Sequence, residues 1–210
     1  MKKIIPYRTT KRAMMSIDNG GRFFNLLTRA NDGNISASEL GKVAGVLGDK
    51  QKMVLFLEMS LSKLSDSSVS SIRSALSSEL KQAYRRYQPR HYSPTEANKQ
   101  GVRSQSAIVT GVPKFVKANS DFTGFIMIPM VANGITTMMM IPMIDHYDVY
   151  EIRDEETDED FLIAHARSAK NLPQVHCCFG GILKELKSNN KNDSKKRVYL
   201  NTIYYSVVDK

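Results

Sequence analysis

Two runs near the C-terminus decide the fold: Val175-His-Cys-Cys-Phe-Gly-Gly-Ile-Leu-Lys-Glu-Leu186 and Arg197-Val-Tyr-Leu-Asn-Thr-Ile-Tyr-Tyr-Ser-Val-Val208. Both are rich in β-branched and aromatic residues. The loop between them, Lys187 to Lys196, is built from Ser, Asn, Asp and Lys. This is the composition of a hairpin with a long basic tip. Gly180-Gly181 sits inside the first run, where glycine marks a bulge or a sharp bend. A bent strand, a basic hairpin and an aromatic partner strand are parts of a small closed barrel.

Upstream of this hairpin the period stays strand-like back to about residue 104. Candidate strands cover 106–116, 122–130, 135–143, 147–153 and 161–166, and 175–186 and 197–208 complete the set. Asn133-Gly134 is a strong signal for a two-residue hairpin turn. Pro129 and Pro142 lie near its ends, where a missing donor is tolerated. Met138-Met-Met140 falls in a strand apolar on both faces, which predicts burial in the core or in a subunit interface. Residues 164–171 are an alternative short helix.

The first half reads as helices. Ser36-Ala-Ser-Glu39 has the form of a capping box and opens a helix carrying Leu40, Val43, Ala44 and Leu47, ended by Gly48-Asp49. The run 52–64 is apolar nearly all round and predicts the central helix of a bundle. Ser65 or Asp66 caps a further helix on which Val69, Ile72, Leu76, Leu80, Tyr84 and Tyr87 recur at steps of three and four. Phe23, Phe24, Leu26 and Leu27 form another apolar cluster. Gln88-Pro-Arg-His-Tyr-Ser-Pro94 stops the last helix, and the polar, unpatterned stretch 94–104 reads as a boundary. The expectation is an α+β chain: a helical domain over 10–90 and a mainly antiparallel β-barrel over 104–210.

The chain of 210 residues carries a net charge of +9, and the charge is uneven. Residues 1–103 hold 18 Lys+Arg against 8 Asp+Glu, while nine of the 13 acids in the remainder lie between Asp145 and Asp160. Such a dipolar pattern suits a polyanion on one surface. The acidic run Asp154 to Asp160 reads as a solvated hairpin tip or a docking patch for a basic surface. No apolar run is long enough to span a bilayer, and the N-terminus lacks the form of a signal peptide. The adjacent Cys177 and Cys178 would point to opposite faces of a strand, as core thiols in a reducing cytoplasm.

Catalytic and metal signals are weak. Asp32-Gly-Asn34 opens like a calcium loop, but Ala37 and Val43 stand where glycine and a bidentate glutamate are required. His146, His165 and His176 show no ligand spacing and adjoin no nucleophile motif. The segment 38–47 has some likeness to a helix–turn–helix, but the apolar run that follows it cannot read base edges. The chain is therefore expected to be no enzyme and to need no metal or cofactor.

Cations alternate with rings along the predicted strands, and this mixture serves phosphates and stacked bases together. The candidate contacts are Lys114, Phe115, Lys117, Phe125, Tyr147, Tyr150, Lys184, Lys187, Lys195, Lys196, Arg197 and Tyr199. Arg85, Arg86 and Arg90 would extend the basic track from the helical half.

Phe161-Leu-Ile-Ala-His-Ala166, then 170–184, the basic loop and Arg197-Val-Tyr-Leu-Asn-Thr-Ile203 resemble the second half of an OB-fold domain of the single-stranded DNA-binding type. The resemblance covers about 50 residues, from 161 to 203 and a little beyond. It implies an OB-like barrel whose groove takes single-stranded DNA on rings and lysines of the exposed strands. The expected partner is single-stranded nucleic acid, with a homo-oligomer as a further possibility and no membrane. The alternative is a protein–protein adaptor that uses the Met-rich strand and the acidic loop.

Overall fold

The computed structural model describes residues 1–19, 31–116, 124–132, 135–143, 147–154, 156–157, 159–166, 172–185 and 198–208; at 116, 124–132, 135–143, 147 and 166 it describes the backbone alone. The apolar cluster at Phe23–Leu27, the turn Asn133-Gly134 and the basic loop at 187–196 lie outside the described residues.

The chain opens with β1 (Lys2–Lys3) and α1 (Thr10–Ile17), which Thr9 caps through its hydroxyl. α2 (Ala37–Ala44) starts at the predicted capping box: the Ser36 hydroxyl accepts from the Glu39 N–H, and the Glu39 carboxylate accepts from the Ser36 N–H at 2.8 Å. Gly45, at φ +74°, ends it three residues before the expected Gly48, since the left-handed cap costs glycine nothing. α3 (Lys50–Leu61) is the central helix. Met53, Val54, Leu55, Phe56, Leu57, Met59 and Leu61 are all buried, as an all-round apolar helix requires.

The expected fourth helix is two helices, α4 (Asp66–Ser74) and α5 (Ser78–Tyr87). Ser77 caps the second through its hydroxyl, accepting from the Leu80 N–H. Ile35 takes up the backbone freed by the break, donating to the Ala75 carbonyl and accepting from the Ser77 N–H, both at 2.8 Å. Leu76 stays buried beside the helices, so the apolar row continues through the interruption.

The stretch 94–104, expected to be unpatterned, holds an element. After β2 (Arg90–Tyr92), Ser93-Pro-Thr-Glu96 forms a second capping box and starts α6 (Pro94–Gln100), with proline in the first turn. Then come β3 (Ser106–Gly111), β4 (Pro113–Val116), β5 (Gly124–Ala132), β6 (Ile135–Met143), β7 (Tyr147–Arg153), β8 (Asp160–Ala166), β9 (Cys177–Glu185) and β10 (Val198–Val207).

The architecture is α+β. The main sheet is mixed and runs β2-β3-β9-β10-β8-β7-β4, with β1 parallel to β10 on the edge it shares with β8. Among the described residues no ladder joins β4 to β2, so the hydrogen-bonded path is open and the expected closed barrel is not traced by the ladders. β4, at one end of this path, and β3, one strand in from the other end, are separated in sequence by Val112 alone. β5 and β6 form a separate two-stranded sheet in which Ala132 faces Ile135, the register of a two-residue turn.

Two cores lie on opposite sides of the sheet. One gathers Ala107, Val109, Tyr150, Ile152, Phe161, Ile163, Cys177, Phe179, Leu183 and Leu200, drawn from five strands. The other joins the helices to the sheet through Ile108 and Tyr204. Cys177 belongs to the first core and Cys178 packs against the second, so the two thiols do point to opposite faces. Burial pushes the Cys177 thiol up to about 11.

The irregularity expected at Gly180-Gly181 falls on the partner strand. β10 shifts register between Thr202, opposite Gly181, and Tyr204, opposite Gly180. The extra residue is Ile203, and it turns Tyr204 toward the helices, where its ring meets Phe56 edge-on at 5.8 Å and its hydroxyl donates to the Ala44 carbonyl at 3.2 Å. Gly180 lies under α3, and a Cβ there would overlap the Met59 sulfur. Among the described residues no helix is long and apolar enough to cross a membrane.

Candidate nucleic-acid interface

Alternation along β9 and β10 sets which side chains leave the core. Cys177, Phe179 and Leu183 face inward, so Ile182 and Lys184 face outward. Lys184 stands directly opposite Tyr199, and Ile182 stands opposite Asn201. Lys184 is exposed and Tyr199 is half-buried. A cation and a ring on one face of adjacent strands are within contact distance of each other.

The segment between α6 and β3 forms the wall beside this pair. Ser104 donates its N–H to the Leu183 carbonyl at 2.8 Å, and Leu183 donates back to the Gln105 carbonyl at 2.9 Å. Gln51, in the first turn of α3, donates to the Ser104 carbonyl and to the Ser106 hydroxyl, both at 3.0 Å. Ser104 sits at φ +68°, an uncommon conformation for a residue with a side chain. Two bonds hold it there, from its N–H to Leu183 and to its carbonyl from Gln51, and they fix the backbone next to Arg103. Its guanidinium lies 3.7 Å from the Glu185 carboxylate. Arg103, Ser104, Ile182, Lys184, Glu185 and Tyr199 line a concavity of about 390 Å³.

Of the residues singled out in the sequence, Lys184 and Tyr199 are brought together here. Lys114 and Phe115 lie elsewhere, on β4. Phe115 is 48% exposed and meets Tyr150 edge-on at 5.3 Å, while Lys114 pairs across the ladder with Glu151. Tyr150 is a correction. It is 2% exposed, it stacks on His165 at 5.7 Å, and its hydroxyl accepts from the Leu172 N–H at 3.3 Å. A ring enclosed in this way cannot stack on a base. Arg85 and Arg86 are exposed at the end of α5, with Arg86 over the Tyr87 ring at 5.3 Å. Arg90 is exposed on β2, opposite Ala107, which in turn faces Gly181. It is thus two strands, about 10 Å, from the ribbon that carries Lys184. Lys117, Lys187, Lys195, Lys196 and Arg197 lie outside the described residues, as do the side chains of Phe125 and Tyr147.

The acidic turn is not a freely solvated tip. Asp154 is buried and accepts from the Thr95 N–H at 3.1 Å, in the first turn of α6, and from Glu156 N–H at 3.0 Å. The backbone donor of Thr95 is the main reason that its carboxyl titrates well below the usual range. The Thr95 and Thr157 hydroxyls are also bonded, Asn98 donates to the Asp160 carbonyl at 2.9 Å, and Lys99 lies 3.5 Å from Glu159. The turn therefore docks on the chain's own α6. Arg103, Glu185 and Gln51 were not singled out in the sequence. They meet through the fold, and the capping box at Ser93, which sets where the following loop begins, is the one local signal that pointed toward them.

No family model matches the chain, and no curated protein matches it. Among solved structures, the N-terminal domain of an archaeal MCM is similar at a TM-score of 0.41 and 12% identity, over 84% of this chain and 86% of that one. A protein assigned as an aspartyl-tRNA synthetase from Leishmania major Friedlin is similar at a TM-score of 0.35 and 7% identity, over 59% of this chain. The chain spans 21% of the length of that synthetase.

Proposed function

We propose that this chain is a non-catalytic nucleic-acid-binding protein that prefers single strands, built on an OB-like barrel. The observation that carries the reading is the concavity lined by Arg103, Lys184 and Tyr199, in which Lys184 stands directly opposite Tyr199. A ring offers a stacking face to any base, and the flanking cations meet the phosphates on either side of it. Phe115, 48% exposed on β4, offers a further ring.

Two features support the barrel. β3 pairs with β9 and β4 pairs with β7, yet Val112 alone separates β3 from β4. One strand turning a corner at Val112-Pro113 would link β4, at one end of the ladder path, to β3, one strand in from the other end. Gly111, at that corner, lies so close to Ile152 of β7 that a Cβ would overlap it. Residues from β3, β7, β8, β9 and β10 also share one core, as the interior of a small barrel requires.

Fluorescence anisotropy with labelled oligonucleotides tests the reading. Binding at low salt should weaken as salt rises, with a log–log slope of about −2 for three phosphate contacts on a single strand. Absence of binding at low salt and micromolar protein would overturn it.

The adaptor reading rests on the β5–β6 hairpin. Its two nine-residue strands pair with each other in a sheet of their own. An isolated hairpin is marginal in water, so these apolar strands call for a covering surface. A dimer mass in solution without nucleic-acid affinity would favour this reading.

A further inference from the structure

We propose that the outer edge of β6 is a self-association surface, on which a second copy of this chain adds its own β6 antiparallel about a two-fold axis. The edge belongs to strands that take no part in the concavity, so association and nucleic-acid binding are read by separate measurements.

The two prolines of the hairpin show which backbone groups point outward. Facing residues in an antiparallel pair alternate between pairs that exchange both hydrogen bonds and pairs that exchange none. Pro129 faces Met138, and Pro142 faces Phe125. These two pairs are four steps apart in the ladder, so they are of the same kind. Proline has no N–H to exchange, so both are non-bonded pairs. Met127 with Met140 and Val131 with Thr136 are then non-bonded pairs too. The backbone groups of all these residues leave the hairpin sideways.

The two edges differ in their donors. On β5, Pro129 breaks the row between Met127 and Val131. On β6, Thr136, Met138 and Met140 form an unbroken row, and Pro142 comes only at the next-to-last residue. Among the described residues β6 pairs with β5 alone. A proline within an edge blunts it against further strands, and an edge without one is a template for them.

The occupant follows from symmetry and charge. With Met138 of one copy opposite Met138 of the other, Thr136 meets Met140 and Met140 meets Thr136. All three residues then donate and accept, and none of these pairs includes a proline. Neither strand holds Asp, Glu, Lys or Arg, so two copies of a chain of net charge +9 bring no like charges together on the paired strands. The product is a four-stranded sheet in place of a hairpin that is marginal in water. Its outer edges are the two β5 strands, each blunted by Pro129, so assembly closes at two copies instead of growing into a fibre.

The test is the mass of the full chain by light scattering, over a range of micromolar concentrations and after nuclease treatment. The unsubstituted chain should approach twice its 23.6 kDa as concentration rises. Met138→Pro removes the central donor of both copies and should weaken the dimer at least about tenfold. Met127→Pro makes the same change in the outward row of β5 and should leave the dimer intact. Both positions lie outside the hairpin's own bonds, and thermal melting checks that both variants fold. Met138→Cys needs no proline. Facing residues in a bonded pair have Cα atoms about 5.5 Å apart, within the span of a disulfide. Diamide should therefore link Met138→Cys chains in pairs, well above the background that Cys177 and Cys178 set in the unsubstituted chain. Met127→Cys should stay at that background. A monomer at every concentration would overturn the proposal and leave the edge to a different chain. So would a dimer that survives Met138→Pro, a dimer that Met127→Pro also dissolves, or Met138→Cys chains that fail to link. A dimer formed as expected but without affinity for single strands would overturn the nucleic-acid reading and leave this one standing.

Discussion

The ribbon of β9 and β10 has one outer face with two different ends. On one side of the shift at Ile203, Gly180 lies under α3 and Tyr204 reaches across to Phe56 and Ala44. On the other side, Ile182, Lys184 and Tyr199 face the concavity. The strands are the same, and the side chains make the difference. A bare backbone at Gly180 lets a helix approach the sheet closely. An ammonium at Lys184 resists cover, because burying it unpaired is costly. One end of the ribbon is thereby spent on the core, and the other is left available to a ligand.

The comparison can be broken most severely at its covered end. Gly180→Val should place methyl groups against Met59 and Leu55 and destabilise the fold by about 3 kcal/mol. Thermal melting would register this as a drop of roughly 6–12 °C for a chain of this size. A similar loss from Ile182→Val, at the open end, would contradict the contrast.

Next in size is the contact that positions α3 against the other helices. Arg73 donates to both Glu58 oxygens, at 3.1 and 3.3 Å, and lies over the Tyr84 ring at 4.6 Å, while the Tyr84 hydroxyl donates to Glu58 at 2.5 Å. Burial is the main cause raising the Tyr84 phenol, and the Glu58 carboxylate adds to it. Glu58→Ala should cost about 1–2 kcal/mol, reduced by the partial exposure of Arg73. Urea midpoints would measure it.

At the open end the expected effects fall on binding. Tyr199→Ala should weaken single-strand affinity about tenfold, the loss of one stacked base. Its melting temperature should move less than that of Gly180→Val. Lys184→Ala should lower the salt slope by about one contact. Affinities unchanged in both variants would move the site off this ribbon.

The smallest effect is on pH dependence. Burial pushes the Tyr204 phenol up to about 12 from its ordinary 10.0. The neutral phenol is the form the core accepts, so its contribution is complete below pH 10 and is lost as pH rises toward 12. Tyr204→Phe should flatten that alkaline limb in a stability-versus-pH series. At the acid side the sign reverses. Asp154 is held low by the Thr95 N–H, so its contribution is present above the ordinary carboxyl pKa and fades only below it.

How far the sequence could be read depends on how local each cause is. Capping at Ser36 and strand limits at Ile135–Met143 and Tyr147–Arg153 are local, and they hold. The break between α4 and α5 was hidden because Leu76 keeps the apolar row, and the cause, pairing with Ile35, is distant. α6 has a single buried alanine, Ala97, and so lacks an apolar row, although its capping box was there to be read. Tyr150 was misplaced because Val149 and Tyr150 are both buried, which leaves the inward phase of β7 unmarked in the sequence. In the candidate site, Lys184 and Tyr199 were legible as a strand pair. Arg103 and Glu185 were not, since a loop fixed by Gln51 brings them together.

The parallel pairing of β1 with β10 joins two segments far apart in sequence, with Ile4 donating to the Tyr205 carbonyl at 2.7 Å. During synthesis the helices leave the ribosome long before residue 204 does. Phe56 then has no Tyr204 ring to pack on, and the flank of α3 that later rests on Gly180 stays open to chaperones until β9 and β10 have emerged.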